Sequence, residues 1–207
     1  AADGSLLIAD FYERYIAHGQ HYQSQIDPTS GRVYRLRAKA KPLVADTNLS
    51  AKTDGQLIGL LAHPNKWHRQ TAVRLLGHRA TAVTNAKLRK QIKAETGQAA
   101  LHGLWALHQS GGLDDVFATE LLGHPYPHVR SWAVRIRGDH HEVSTGVFSA
   151  ARRLARREGD SEVRSQIACT AMRLPRDQAL GLVTVLLSRT ADIDDPFIPL
   201  QCWWVLE

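Results

Sequence analysis

The chain has 207 residues, 43% of them hydrophobic, and carries 26 Lys and Arg against 20 Asp and Glu, for a formal net charge of +6. That apolar content is enough for one elongated domain and excludes disorder over most of the length, while the lack of any run of about 18 apolar residues excludes a bilayer-spanning helix. The cationic excess permits an acidic partner such as nucleic acid, anionic lipid or an acidic protein without selecting among them.

In chain order, Ala1-Ala2-Asp3-Gly4 carries neither an initiator Met nor a charged-then-apolar leader, so the chain reads as a piece of something longer. Residues 1–40 then have their own grammar. The apolar stretch from Ser5 to Tyr12 and the stretch Arg32-Val33-Tyr34-Arg35-Leu36-Arg37 read as two strands, the second following a turn cluster, Asp27-Pro28-Thr29-Ser30-Gly31. A lone strand pair is marginal in water, so it must dock on other elements or belong to a larger sheet. Residues 41–53, with Pro42 and no sustained period, read as a linker.

From residue 54 to 207 a helical period takes over. Leu57, Leu60 and Leu61 predict a helix stopping near His63-Pro64, and Trp67, Ala72, Leu75 and Leu76 predict a second, closed by Gly77. Leu101, Leu104, Trp105 and His108 fall at i, i+3, i+4, i+7 before Gly111-Gly112. Leu113, Val116, Phe117 and Leu121 end at Gly123, and Val129, Trp132, Ala133 and Ile136 end at Gly138, with Pro127 suited to a first helical turn. The series continues through Val147, Ala151 and Leu154, then Val163, Ile167, Ala171 and Leu174, then Leu180, Val183 and Leu187, to Ile198, Cys202 and Val205. Nine or ten helices in antiparallel pairs follow from this. The last helix carries Trp203, Trp204, Val205 and Leu206 where a stacked array usually ends on a polar cap, a second sign of a piece of a longer protein.

The helices repeat. His124-Pro125-Tyr126-Pro127-His128-Val129-Arg130-Ser131-Trp132-Ala133-Val134-Arg135 recurs in variant form as residues 63–74 and more faintly as Gly159-Asp160-Ser161-Glu162-Val163-Arg164. Val129 to Val163 is 34 positions and Val163 to Ile198 is 35, while Arg69 to Arg130 is 61, room for two units with one short or degenerate. A period of this length means helix pairs that cannot bury an apolar face alone and must stack on neighbours. The fold expected is mainly α, an α-solenoid of helical hairpins with a short N-terminal β segment.

The segments at 63–76, 124–135 and 159–168 resemble HEAT repeats, whose second helix carries a loop Asp followed by V-R-x-x-A. His68 departs from that pattern at the Val position and Pro199 at the Arg position. The order D-G-S-L-L-I-A-D-F-Y (3–12), H-G-Q (18–20), G-R-V-Y-R-L (31–36), linker and L-x-x-L-L-A-H-P-N-K-W-H-R-Q-T-A-V-R-L-L (57–76) resembles the join between a sorbosone/glucose-dehydrogenase-like β-propeller and HEAT repeats. This join occurs in planctomycete-type multidomain proteins of the membrane-bound dehydrogenase class. The resemblance implies that residues 1–40 are terminal propeller strands, that the protein is extracytoplasmic, and that any oxidation of a sugar or alcohol through a bound quinone belongs to segments outside this chain. A cytochrome c domain often follows in such proteins, but no C-x-x-C-H is present here.

No nucleophile elbow, P-loop, G-x-G-x-x-G or H-E-x-x-H occurs, so no catalytic, cofactor-binding or metal-binding residue is assigned and no cofactor is expected in this segment. The histidines at 18 and 21, 124 and 128, and 140 and 141 lack the three or four convergent ligands zinc needs within one element, and His63 and His124, at equivalent positions before Pro, read as turn residues. Cys169 and Cys202, among apolar residues with no C-x-x-C pair, read as buried free thiols. Two groups of arginines form the candidate binding surface. Arg69, Arg130 and Arg164 recur at one repeat position, where they align as a ladder able to brace carbonyls or carboxylates of adjacent turns. Arg152, Arg153, Arg156 and Arg157 share one helical face opposite Val147, Ala151 and Leu154 and project into solvent. The five tryptophans fit core or inter-repeat packing; a base-stacking groove would need them exposed beside Arg. The function expected is a non-catalytic scaffold for proteins or for neighbouring domains of the same chain. The alternatives are a fragment of a quinone-dependent sugar or alcohol dehydrogenase and a HEAT-like nucleic-acid binder.

Overall fold

The computed structural model of the protein describes residues 1–10, 31–39 and 47–207. Strands β1 (Leu6–Ala9) and β2 (Val33–Leu36) pair antiparallel, with Leu6 opposite Leu36 and Ala9 opposite Val33. Both strands are exposed along their whole length. The turn residues 27–30, His18 and His21 lie outside the described residues.

The remainder is helical: α1 (Asp54–Leu60), α2 (Lys66–Arg79), α3 (Ala82–Ala94), α4 (Gln98–Gln109), α5 (Asp115–Leu121), α6 (Pro127–Gly138), α7 (Thr145–Arg157), α8 (Ser161–Ala171), α9 (Arg176–Leu187) and α10 (Ile198–Leu206). Side-chain caps set most of the starts. Thr53 forms a capping box with Gln56, and Asn65, Thr81, Asp114, Ser144 and Asp160 each accept a hydrogen bond from a backbone N–H of the first turn. Pro127 opens α6, as its missing N–H allows.

Consecutive helices pair as five hairpins, α1 with α2 through α9 with α10, and each hairpin lies on the next. The even-numbered helices pack in succession along one row, α2 on α4, α4 on α6, α6 on α8, α8 on α10. The odd-numbered row has α1 against α3, α5 against α7 and α7 against α9. Between the rows runs one apolar cluster, from Leu57, Leu61 and Leu76 through Leu88, Ile92, Leu104 and Leu107 to Ile167, Leu182 and Ile198. Full burial of each such side chain stabilises by about 1.5–3 kcal/mol, which none of these short helices could gain alone.

Several expectations need correction. Helix α3 carries no predicted period: it buries only Leu88, Ile92 and Thr84, too few to show a stripe. Gly77 lies inside α2 rather than closing it, whereas Gly138 is the last residue of α6, where the spacing ends that helix. A Cβ on Gly77 would stand 2.6 Å from Gln109 Cβ on α4, and one on Gly138 would collide with Thr170 on α8, so both are sites of close helix approach. Helix α4, wedged between α2, α3 and α6, is buried nearly all round, while His108, placed on its apolar face by spacing, is exposed. Val116 and Leu187 are likewise exposed, at 75% and 53%, because α5 and α9 turn Phe117, Ala118 and Leu121, and Leu182, Val183 and Leu186, inward instead. Trp203 and Trp204 are exposed rather than packed. Within the stretch read as a linker, Leu49–Ala51 form a 3-10 turn against α2 with Leu49 buried, and residues 40–46 lie outside the described residues.

Candidate interaction surfaces

The arginines of the repeat position turn into the stack. Arg130, on the first turn of α6, donates from Nη1 to the carbonyls of His124 (2.8 Å) and Pro125 (3.1 Å) of its own inter-helix loop. Its Nε and Nη2 donate to both oxygens of Glu158, at 2.7 and 2.6 Å. Arg164 on α8 repeats the arrangement one hairpin on, donating to Glu158 O (3.2 Å) and forking onto Asp192. In both cases the carboxylate lies 28 residues after the arginine, in the next hairpin or the loop that closes it. Bidentate guanidinium–carboxylate pairing of this kind fixes geometry as well as energy.

Burial works to raise the Glu158 pKa, but hydrogen bonds from Arg130 and from the Asp160 and Gly159 amides outweigh it and hold the carboxyl below its ordinary value. Arg69 keeps only the local half of the motif. Its Nη1 donates to His63 O and Pro64 O, both at 2.7 Å, while Gly97 stands 28 positions on and offers no carboxylate. Its buried Nε has no partner among the described residues. Counting from the helix starts, Leu101 on α4 holds the arginine position, which explains the 61-residue gap as two units, the inner one without its arginine. On α10 that count reaches Gln201; Pro199 holds the position only by alignment on the loop Asp, Asp195 accepting from Phe197 N and Ile198 N much as Asp160 accepts from Val163 N on α8.

His63 and His124 are turn residues, as their spacing implies: Nδ1 of each accepts from the amide two residues on, Asn65 N at 3.0 Å and Tyr126 N at 3.1 Å. His124 Nε2 then donates to Ile92 O across to α3. His68, the departure from Val, reaches Ala2 O at 3.1 Å, and Asn65 Nδ2 donates to Ala1 O and Ala2 O, tying the N-terminal segment to α2. Sequence spacing did not single out Gln178, which clasps the α6–α7 loop by donating to Val143 O and accepting from Val143 N, nor Arg189, which donates to Ala155 O, Arg156 O and Glu158 O at the end of α7.

Three outward surfaces remain. Arg152, Arg153, Arg156 and Arg157 are all exposed on α7, and none of their guanidinium groups has a hydrogen bond or ion pair among the described residues. On the even row, Trp105 and Trp132 meet edge-on with ring centres 4.9 Å apart, and the Arg135 guanidinium lies 4.9 Å over the Trp132 ring. His102 packs edge-on against Trp105; burial lowers its pKa against the raising effect of its bond to Gln98 O. At α9 and α10, Leu187, Ile193, Phe197, Leu200, Trp203, Trp204 and Leu206 are exposed. Burial pushes the Cys202 thiol up to about 11, so it is an inert packing group, and Cys169 is half-buried. Among the described residues no group of three His, Cys, Asp or Glu side chains is placed to hold a metal ion, and no helix is long and apolar enough to cross a membrane.

Comparison with known proteins found no matching family model, no matching curated protein and no matching solved structure.

Proposed function

We propose that this chain is a non-catalytic scaffold, an α-solenoid of HEAT-like hairpins that presents its two helical rows to a protein partner or to neighbouring domains of the same polypeptide. The observation that carries this reading is the division of labour among the arginines. Arg130 and Arg164, at the repeat position, are spent on joining hairpins, whereas outward-facing side chains differ from helix to helix, as expected when fold repeats and binding surface does not. The strand pair supports the propeller-exit reading of residues 1–40, since Leu6, Ile8, Val33, Tyr34 and Leu36 are exposed and need further strands or a docked surface. On this reading, oxidation of a sugar or alcohol would belong to the propeller-bearing part of a parent protein.

The test is crosslinking followed by mass spectrometry in extracts of the source cells. Lys66 on the even row and Lys87 and Lys90 on the odd row are exposed reporters. Recurrent crosslinks from one row to a single protein, or to adjoining domains, are expected. Crosslinks confined to the chain itself would overturn the scaffold reading.

A further inference from the structure

We infer that the outward face of α7 docks an acidic helical segment of a protein, one whose carboxylates are spaced a turn apart. This rests on the scaffold reading above and names its partner's chemistry.

The face stands out by gathering on one helix four arginines that face no carboxylate, whereas Arg74 and Arg176, also exposed and without an ion pair among the described residues, stand singly on α2 and α9. Seven other arginines of the helical region, Arg79, Arg89, Arg130, Arg137, Arg164, Arg173 and Arg189, each face a carboxylate. Arg152, Arg153, Arg156 and Arg157 face none among the described residues, and all four are exposed. Nor does the helix need them to satisfy its negative C-terminal end. Arg189 already donates to the carbonyls of Ala155 (3.3 Å), Arg156 (2.6 Å) and Glu158 (2.9 Å) there. Four cations packed at i, i+1, i+4 and i+5 repel one another, each i, i+4 pair costing about 0.2–0.5 kcal/mol, so the arrangement opposes folding. A bound anion offsets that cost.

The shape of the patch selects the anion. Residues 152 and 156, and 153 and 157, form two rows whose members stand about 5–6 Å apart between Cβ atoms. Glutamates or aspartates at i and i+4 on a facing helix have the same spacing, and a guanidinium fork matches each carboxylate. A nucleic-acid backbone fits less well. Duplex tracks commonly engage about 6–10 phosphates, but the basic face ends with α7. On its neighbours, α5 turns out Val116 and Glu120, and α9 turns out Asp177, Thr184 and Leu187, its one exposed cation, Arg176, standing in the first turn that Gln178 holds beside Val143, at the other end of α7 from the four arginines. No tryptophan lies on α7 to stack a base.

Fluorescence anisotropy of the whole chain tests this with a labelled alanine-based helical peptide carrying glutamates in an i, i+4 pattern. Its glutamine counterpart and a labelled 16-base-pair DNA duplex serve as comparators, all at low ionic strength. The glutamate peptide should bind with a micromolar dissociation constant and lose about tenfold in affinity when salt rises from about 0.03 M to 0.3 M. Combining Arg152→Glu, Arg153→Glu, Arg156→Glu and Arg157→Glu should abolish binding while the helical circular dichroism stays that of the parent. The milder pair Arg152→Gln with Arg156→Gln should weaken binding at least threefold, whether or not the quadruple variant folds. Equal binding of the glutamine peptide, tighter binding of the duplex, no measurable binding of the glutamate peptide, or indifference to the substitutions would each overturn the inference. None of these outcomes touches the scaffold reading, which stands or falls on the crosslinks.

Discussion

Arg164 and Asp192 are both buried, 6% and 4% exposed, and pair directly with each other, with Arg189 Nε a further 3.7 Å from Asp192. Removing one member strands the other in a dry site. Arg164→Leu is expected to destabilise by about 3–5 kcal/mol in urea denaturation. Arg69→Leu loses only hydrogen bonds to two carbonyls and should cost about 1–2 kcal/mol. A pH titration of stability gives a second check. His102 has a folded pKa below its ordinary 6.5, so the unfolded chain binds the proton more readily; the stability it lends is complete above 6.5 and declines as pH falls below it. Glu158 has a folded pKa below its ordinary 4.5, so its contribution is present above 4.5 and is lost as pH falls through the folded value. Stability measured from neutral pH downward should therefore fall in two stages, His102→Gln making the first shallower, which His108 shares, and Glu158→Gln the second, which Asp114 and Asp195 share. At this scale the sequence was informative about which residues matter: the repeat marked Arg130 and Arg164 and the turn histidines. It could not show the carboxylate partners, because Glu158 and Asp192 sit in loops of different lengths, and the constant spacing of 28 emerges only once the hairpins are stacked.

The helices were legible where they bury a single stripe and obscure where they do not. Helix α8, with Val163, Ile167 and Ala171 on one side, follows its predicted period. Helix α3 was missed because its buried side is thin, and α4 was misread because it is covered on nearly every side. Gly77 misleads for a related reason. It looks like a helix stop in a linear reading but lies inside α2 and admits a neighbouring helix, a property of packing rather than of local backbone; Gly138 both ends α6 and admits α8. In an exposed helix interior, replacing Gly by Ala gains about 0.8–1 kcal/mol of helix propensity. Gly59, where an added methyl would meet nothing within 4 Å, should show that gain as a raised melting temperature on substitution by Ala. Gly138→Ala should instead lower it, by an amount matching about 1–3 kcal/mol of overpacking against Thr170, and Thr170→Ser should recover part of the loss.

At the scale of the whole molecule, the described residues form five hairpins in two rows that share one apolar core, and carboxylates from a following hairpin or loop answer arginines of the one before. Mainly helical architecture and the short N-terminal strand pair were both legible, since a 34-residue period leaves little else for the chain to do. The solvent-facing arginines of α7 were legible too, but which apolar side chains of α9 and α10 stay uncovered was not, because their spacing looks the same whether or not a neighbour covers it. The central claim is that stability passes between adjoining hairpins rather than arising from one shared globule. Native-state hydrogen exchange on Asp192→Asn measures this most directly. The account predicts faster exchange in α8, α9 and α10 with α1 to α4 protected as in the parent; an equal loss of protection in all ten helices would contradict it.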